Sequence, residues 1–170
     1  MSTSKSIKAS SNLDTVSVIL PSYNERENIE EAIDRISKAL GDQLLEIIIV
    51  DDDSPDETWR LVKELNHEKV NLIHRTEAKG LASALAAGVS SSKGETVVWL
   101  DCDLGIPPEE IINLIDRLNI FDVSIGSRYV KNGSDDYVEF DQKSVRPSDT
   151  SYLVGDISMK WTPSQGQYFL

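Results

Sequence analysis

One cysteine and two histidines are all the thiol or imidazole metal ligands that 170 residues supply. A lone Cys102 rules out an intramolecular disulfide and a cysteine-rich zinc site. It reads as a small buried filler beside a strand end. His67 and His74 sit apart in polar segments without metal-ligand spacing and read as incidental. No run of about 18 uncharged apolar residues exists to span a bilayer. Basic residues are also scarce, 17 against 29 acidic ones, and the net charge of −12 argues against a nucleic-acid or anionic-membrane surface. Such a balance suits a chain that recruits a divalent cation locally. The opening MSTSKSIKASSNLD is polar and lacks an apolar stretch, so residues 1–14 are expected to be a disordered lead-in and not a secretory signal, with a cytoplasmic setting by default.

Against those absences stands a strong alternation of apolar runs. Residues 16–20 (VSVIL) form a short β-branched run ended by Pro21, which predicts a buried strand and then a loop. Asn24 followed by Glu27 has the spacing of a capping box, with apolar residues at Ile29, Ala32, Ile33, Ile36, Ala39 and Leu40 and a stop at Gly41. Residues 44–50 predict a second strand. Ser54-Pro55-Asp56-Glu57 then gives a second capping box with proline at the first helical position. Strands near 70–74, 96–100 and 122–125 and helices near 81–90 and 107–118 continue the pattern. Five strands alternating with four helices imply an α/β fold, Rossmann-like, with a mostly parallel central sheet and helices on both faces. One domain over residues 15–130 follows, large enough for the chain to bury roughly 70% of its unfolded surface. The segment 131–170 mixes turn residues with scattered aromatics and is read as irregular, with no element assigned and a possible part in an acceptor site.

In such sheets ligands bind beyond the carboxyl ends of the strands, where strand order reverses. Three of those ends carry PSYNE (21–25), DDDSPD (51–56) and DCDLG (101–105), so one rim gathers a proline–tyrosine loop and two acidic clusters. Like charges on one rim repel unless a cation or hydrogen-bond donors offset them. Side chains two apart in an extended loop share a face, so Asp101 and Asp103 can point the same way. Mg²⁺ or Mn²⁺ suits such oxygens, Mg²⁺ needing only one or two carboxylates when water and substrate phosphates fill the shell. The competing reading makes them solvated loop acids or helix N-terminal charges, since Asp103 precedes the Pro107 helix and Asp56 opens another. Asp52 is open to two readings also, turn chemistry or acceptance of a hydrogen bond from a nucleobase or ribose. Lys79-Gly80 offers a cation and a close-approach glycine, and Arg128, just past the fifth strand, offers a planar fork that matches phosphate.

The stretches VSVILPSYNERENI, EIIIVDDDSPDET, KGLASALAAG, VVWLDCDLGIPPEE and VSIGSRYVKNGS, taken in order, resemble the inverting family-2 glycosyltransferases, most of all the dolichol- or polyprenyl-phosphate mannose synthase branch. The likeness covers about residues 16–134. It implies a GT-A fold, a nucleotide-sugar donor such as GDP-mannose or a UDP-sugar, and a divalent metal held by Asp101 and Asp103. It further implies that Pro21, Tyr23 and Glu25 line the nucleotide pocket, that Asp52 contacts base or ribose, and that Arg128 lies near phosphate groups. The reaction implied is hexose transfer to a polyprenyl or dolichyl phosphate or another acceptor, with peripheral membrane association, by the tail or by a partner, left open and no nucleic acid involved. Gly105 departs from the glutamine or other polar residue that relatives often carry there, and Ala82 from a second glycine. The Q-x-x-R-W motif of processive synthases is absent. A binding protein that holds a nucleotide-sugar without turning it over is the alternative of another class. A haloacid-dehalogenase-type phosphatase and a phosphoacceptor receiver domain both place their acidic pair after the first strand, where this chain has PSYNE.

Overall fold

The computed structural model describes residues 15–77, 79–118, 123–126 and 157–160, the last four by backbone alone. Strands β1 (Val16–Ser22), β2 (Leu44–Asp51), β3 (Val70–His74), β4 (Thr96–Trp99), β5 (Val123–Ile125) and β6 (Ile157–Lys160) make one sheet in the order β3-β2-β1-β4-β6-β5. The first four in that order run parallel, and β6 lies antiparallel between β4 and β5. β6 is the main departure from expectation, because no element was expected within 131–170. A four-residue strand, ISMK, is too short to show a period, and its partners are more than thirty residues away.

Both faces of the sheet are covered, which explains the near-continuous apolar strands. Val18, Leu20, Ile47, Ile49, Val98 and Leu100 face helices α1 (Ile29–Leu40), α2 (Thr58–Leu65) and α4 (Ile111–Arg117). Ile19, Ile48, Val50 and Val97 face α3 (Leu81–Ser91) on the other side. Gly88 lets α3 approach closely, since a Cβ there would lie 2.5 Å from Ile19 Cγ2. Among the described residues no helix is long and apolar enough to cross a membrane.

Several element boundaries differ from expectation. β1 runs through Pro21 to Ser22, with Pro21 opposite Val50. The Leu100 N–H donates to the Ile19 carbonyl, so residue 21 faces the same flank just after β4 has ended, and its missing N–H costs no ladder bond. α1 begins at Ile29, not Asn24. Asn24 adopts φ 61° and gives its N–H to Ser54 Oγ, while the Glu25 carbonyl takes the N–H groups of Asn28 and Ile29. α2 begins at Thr58, because Ser54 is drawn into a buried network and Glu57 turns left-handed at φ 61°. In both helices a tertiary partner took the residue that local spacing assigned to the cap. The helix expected over 107–118 opens as a 3₁₀ turn at Pro108–Glu110 before α4.

Candidate donor and metal site

Strand order reverses beside β1: the chain moves from β1 out to β2 and β3, then returns to its other flank as β4. The carboxyl ends of β2, β1 and β4 are therefore neighbours, and the three motif loops share one rim, as expected from the sequence. Hydrogen bonds lock two of these loops together. Asp51, fully buried, accepts from Ser22 Oγ at 3.1 Å, Ser54 N–H at 2.9 Å and Ser54 Oγ at 2.6 Å. Ser54 Oγ in turn accepts the Asn24 N–H at 3.1 Å, and Thr58 Oγ1 accepts the Glu25 N–H at 3.1 Å. Asp56 Oδ2 takes the Arg26 N–H at 3.1 Å, and Asp56 Oδ1 takes the Thr58 N–H at 3.0 Å and hydroxyl at 2.6 Å. Asp56 is thus helix-opening chemistry. Burial opposes its charge, but the bonds from Thr58 and Arg26 hold its pKa below the usual carboxylate range.

Asp101, Cys102 and Asp103 alternate exposed, buried, exposed at the end of β4. Cys102 turns inward as expected, joins the core, and points its thiol at the Pro21 carbonyl, 3.5 Å away. Burial raises the thiol's pKa strongly, and the charges of Glu25, Asp101, Asp103 and Asp51 raise it further. Each of the three loops thus sets a carboxylate within electrostatic reach of the thiol. Burial of its carboxyl group and then the charge of Asp103 push the Asp101 pKa up. No hydrogen-bond donor among the described residues reaches the Asp101 carboxylate, while Asp103 Oδ1 accepts the Gly105 N–H at 2.9 Å across the left-handed Leu104. That turn, and the four residues separating Asp103 from the 3₁₀ turn at Pro108, remove the helix-terminus reading of Asp103. A Cβ at position 105 would come 3.2 Å from Asp103 Oδ1, so glycine leaves that carboxylate room.

Among the described residues no group of three or more His, Cys, Asp or Glu side chains forms a closed metal cage. Two exposed, mutually repelling carboxylates with unused oxygens instead fit a hard cation that takes its remaining ligands from water and phosphate. Tyr23, 54% exposed, stands beside Lys79, whose Nζ is 6.0 Å from the ring centroid. Pro21 and Glu25 are half-buried, with Glu25 Oε2 accepting from Asn28 Nδ2 at 2.8 Å. Arg128 lies outside the described residues.

Two residues absent from the sequence-based site sit at its floor. His74 Nε2 is 2.9 Å from Asp53 Oδ1, and its ring stacks on Trp59 with centroids 4.5 Å apart. Arg75 pairs with Asp52 through Nε at 2.7 Å and through Nη2, and the Gly80 N–H donates to Asp52 Oδ2 at 2.7 Å. The register Asp51 opposite His74 was the available signal, since it sets residues 52–53 beside 74–75.

The family model described as "Glycosyl transferase family 2" matches residues 17–164. A dolichol-phosphate mannosyltransferase of Pyrococcus furiosus is 46% identical over 146 residues, covering 85% of this chain and 41% of the relative. A polyprenol monophosphomannose synthase of Mycolicibacterium smegmatis is 40% identical over 124 residues, covering 69% of this chain and 46% of its own. The chain thus spans less than half the length of these curated relatives. Among solved structures, a mannosyltransferase from Pyrobaculum calidifontis in complex with GDP-Man and Mn²⁺ superposes with a TM-score of 0.58 at 32% identity, over 68% of this chain and 35% of that one. A glucosyl-3-phosphoglycerate synthase from Mycobacterium tuberculosis, with Mn²⁺, UDP and glucosyl-3-phosphoglycerate, gives 0.55 at 26% identity, over 65% of this chain and 42% of that one. The sheet is the GT-A arrangement that the sequence led us to expect.

Proposed function

We propose that this chain, which belongs to glycosyl transferase family 2, binds a nucleotide-sugar on the rim formed by the ends of β2, β1 and β4 and transfers its hexose, with inversion, to a polyprenyl phosphate. The observation that carries this is the meeting of the loops after β2, β1 and β4 on one rim at the reversal of strand order, where Asp101 and Asp103 are both exposed on either side of the buried Cys102. GDP-mannose is the first donor to test, because the mannosyltransferase from Pyrobaculum calidifontis was solved with GDP-Man and Mn²⁺ and the curated relatives are named as mannosyltransferases of lipid phosphates.

In this reading Tyr23 and Pro21 line the nucleotide side, Asp52 meets base or ribose, and Lys79 faces the phosphates. Asp101 and Asp103 would hold Mg²⁺ or Mn²⁺ against the diphosphate, and Arg128 would sit near the same charges. When bound there, the ion supplies Lewis-acid stabilisation of the departing nucleoside diphosphate. The acceptor oxygen of the lipid phosphate attacks the anomeric carbon, forming the new glycosyl–oxygen bond as the bond to the diphosphate breaks. That phosphate is already ionised near neutral pH, its second pKa being about 6, so the rim needs no strong general base. Membrane contact then comes through the lipid acceptor.

Incubating the 170-residue chain with GDP-mannose, Mn²⁺ and a short-chain polyprenyl phosphate should yield the glycosylated lipid, with an inverted anomeric centre by NMR. Metal-dependent donor binding without any transfer would reduce the reading to a nucleotide-sugar-binding module.

A further inference from the structure

Arg75 belongs to none of the five motifs, yet it is more tightly held than any described cation in them. Its N–H donates to the Asp51 carbonyl at 2.8 Å, carrying the β2–β3 ladder one rung past His74. The side chains of Arg75 and Asp52 are each only 10% exposed. Nε and Nη2 both donate to Asp52 Oδ1, and Nη1 donates to Ser83 Oγ at 2.9 Å. Ser83 Oγ passes its own proton to the Gly80 carbonyl at 2.9 Å, which Nη2 also reaches at 3.3 Å. Gly80, at φ +119°, closes the ring by donating its N–H to Asp52 Oδ2.

An ionised carboxylate offers about four acceptor positions, two on each oxygen. The guanidinium fills both on Oδ1 and Gly80 fills one on Oδ2. A single acceptor position on Oδ2 remains, and its direction is fixed because neither oxygen can turn without breaking a charge-assisted bond. We propose that Arg75 is a positioning residue: it sets Asp52 to receive one N–H or O–H of the nucleoside on Oδ2, and ties that contact to the 79–80 segment beside Tyr23. An aspartate held this way cannot bridge two adjacent donors with its two oxygens. Lysine would not substitute, because a compact ammonium cannot fork onto Oδ1 while also reaching Ser83. The proposal rests on the reading of Asp52 as the nucleoside contact.

The test is calorimetric affinity for GDP, UDP and inorganic pyrophosphate, each with Mn²⁺, in wild type, Arg75→Ala, Asp52→Ala and the double variant. For whichever nucleotide wild type prefers, Arg75→Ala should weaken binding roughly tenfold while pyrophosphate stays within about twofold. The double variant should bind no more weakly than Asp52→Ala, because Arg75 acts through Asp52. Equal loss for pyrophosphate would mean a merely structural role, and additive losses would mean an independent contact; either overturns the proposal. Should Arg75→Ala fail to fold, Arg75→Lys serves, and wild-type nucleotide affinity in that variant overturns it equally. Nucleotide binding absent from wild type removes the donor reading and this proposal together, whereas nucleotide binding unaltered in Arg75→Ala removes the proposal alone.

Discussion

Replacing Ser54 with alanine takes away one hydroxyl that two rim loops share. Ser54 is 2% exposed and Asp51 is fully buried, so water does not readily replace what is lost. The hydroxyl donates to Asp51 at 2.6 Å and accepts the Asn24 N–H at 3.1 Å. A hydrogen bond to an ionised group is worth about 1.5–3 kcal/mol. Asp51 keeps the Ser22 hydroxyl and the Ser54 N–H, and Asn24 is exposed enough to turn its N–H to solvent, so little needs adding. The expected loss is about 2 kcal/mol, in the middle of that range. With a urea m-value of about 2 kcal/mol/M, the unfolding midpoint should fall by roughly 1 M at unchanged slope. Nucleotide affinity should fall with it, since Tyr23 and Asp52 flank this network. A midpoint shift below about 0.2 M, which at that slope is under roughly 0.4 kcal/mol, would refute the claim that Ser54 joins the loops.

Two further outcomes follow from individual carboxylates. The hydrogen bonds from Thr58 and Arg26 lower the Asp56 pKa below its unfolded value, so its contribution to stability is complete above the ordinary carboxylate range and is lost as pH falls through the folded pKa. Urea midpoints measured below about pH 4 should therefore drop more steeply for wild type than for Asp56→Asn; parallel curves would contradict the shift. Gly105→Ala should weaken Mn²⁺-dependent nucleotide binding several-fold without moving the urea midpoint, because the new Cβ would press on Asp103 Oδ1 from 3.2 Å. Unchanged affinity would show that the posture of Asp103 does not matter.

The sheet was legible because its strands are buried on both faces and so read as continuous β-branched runs, Val16 to Leu20 and Ile47 to Val50 above all. The shared rim followed from alternation alone, and Cys102 is the packing residue its surroundings suggested. Helix starts were not legible. Asn24 and Ser54 have the side chains of good caps, but the Ser54 hydroxyl bonds Asp51 and the Asn24 backbone N–H, thirty residues away at the other loop, instead of the N–H three residues along. His74 and Arg75 were missed for a related reason: their meaning lies in Asp53 and Asp52, and only strand register brings those pairs together. β6 escaped because four residues carry no period and its pairing is long-range.

The account turns on whether Asp101 and Asp103 join a metal to a nucleotide diphosphate. Titrating GDP-mannose and UDP-glucose calorimetrically into wild type and Asp103→Ala, with Mn²⁺ and with the ion chelated, measures this directly. Binding of at least one donor that needs Mn²⁺ and weakens at least roughly tenfold in Asp103→Ala is the predicted result. Binding of neither donor, or binding indifferent to both the ion and the substitution, would contradict it.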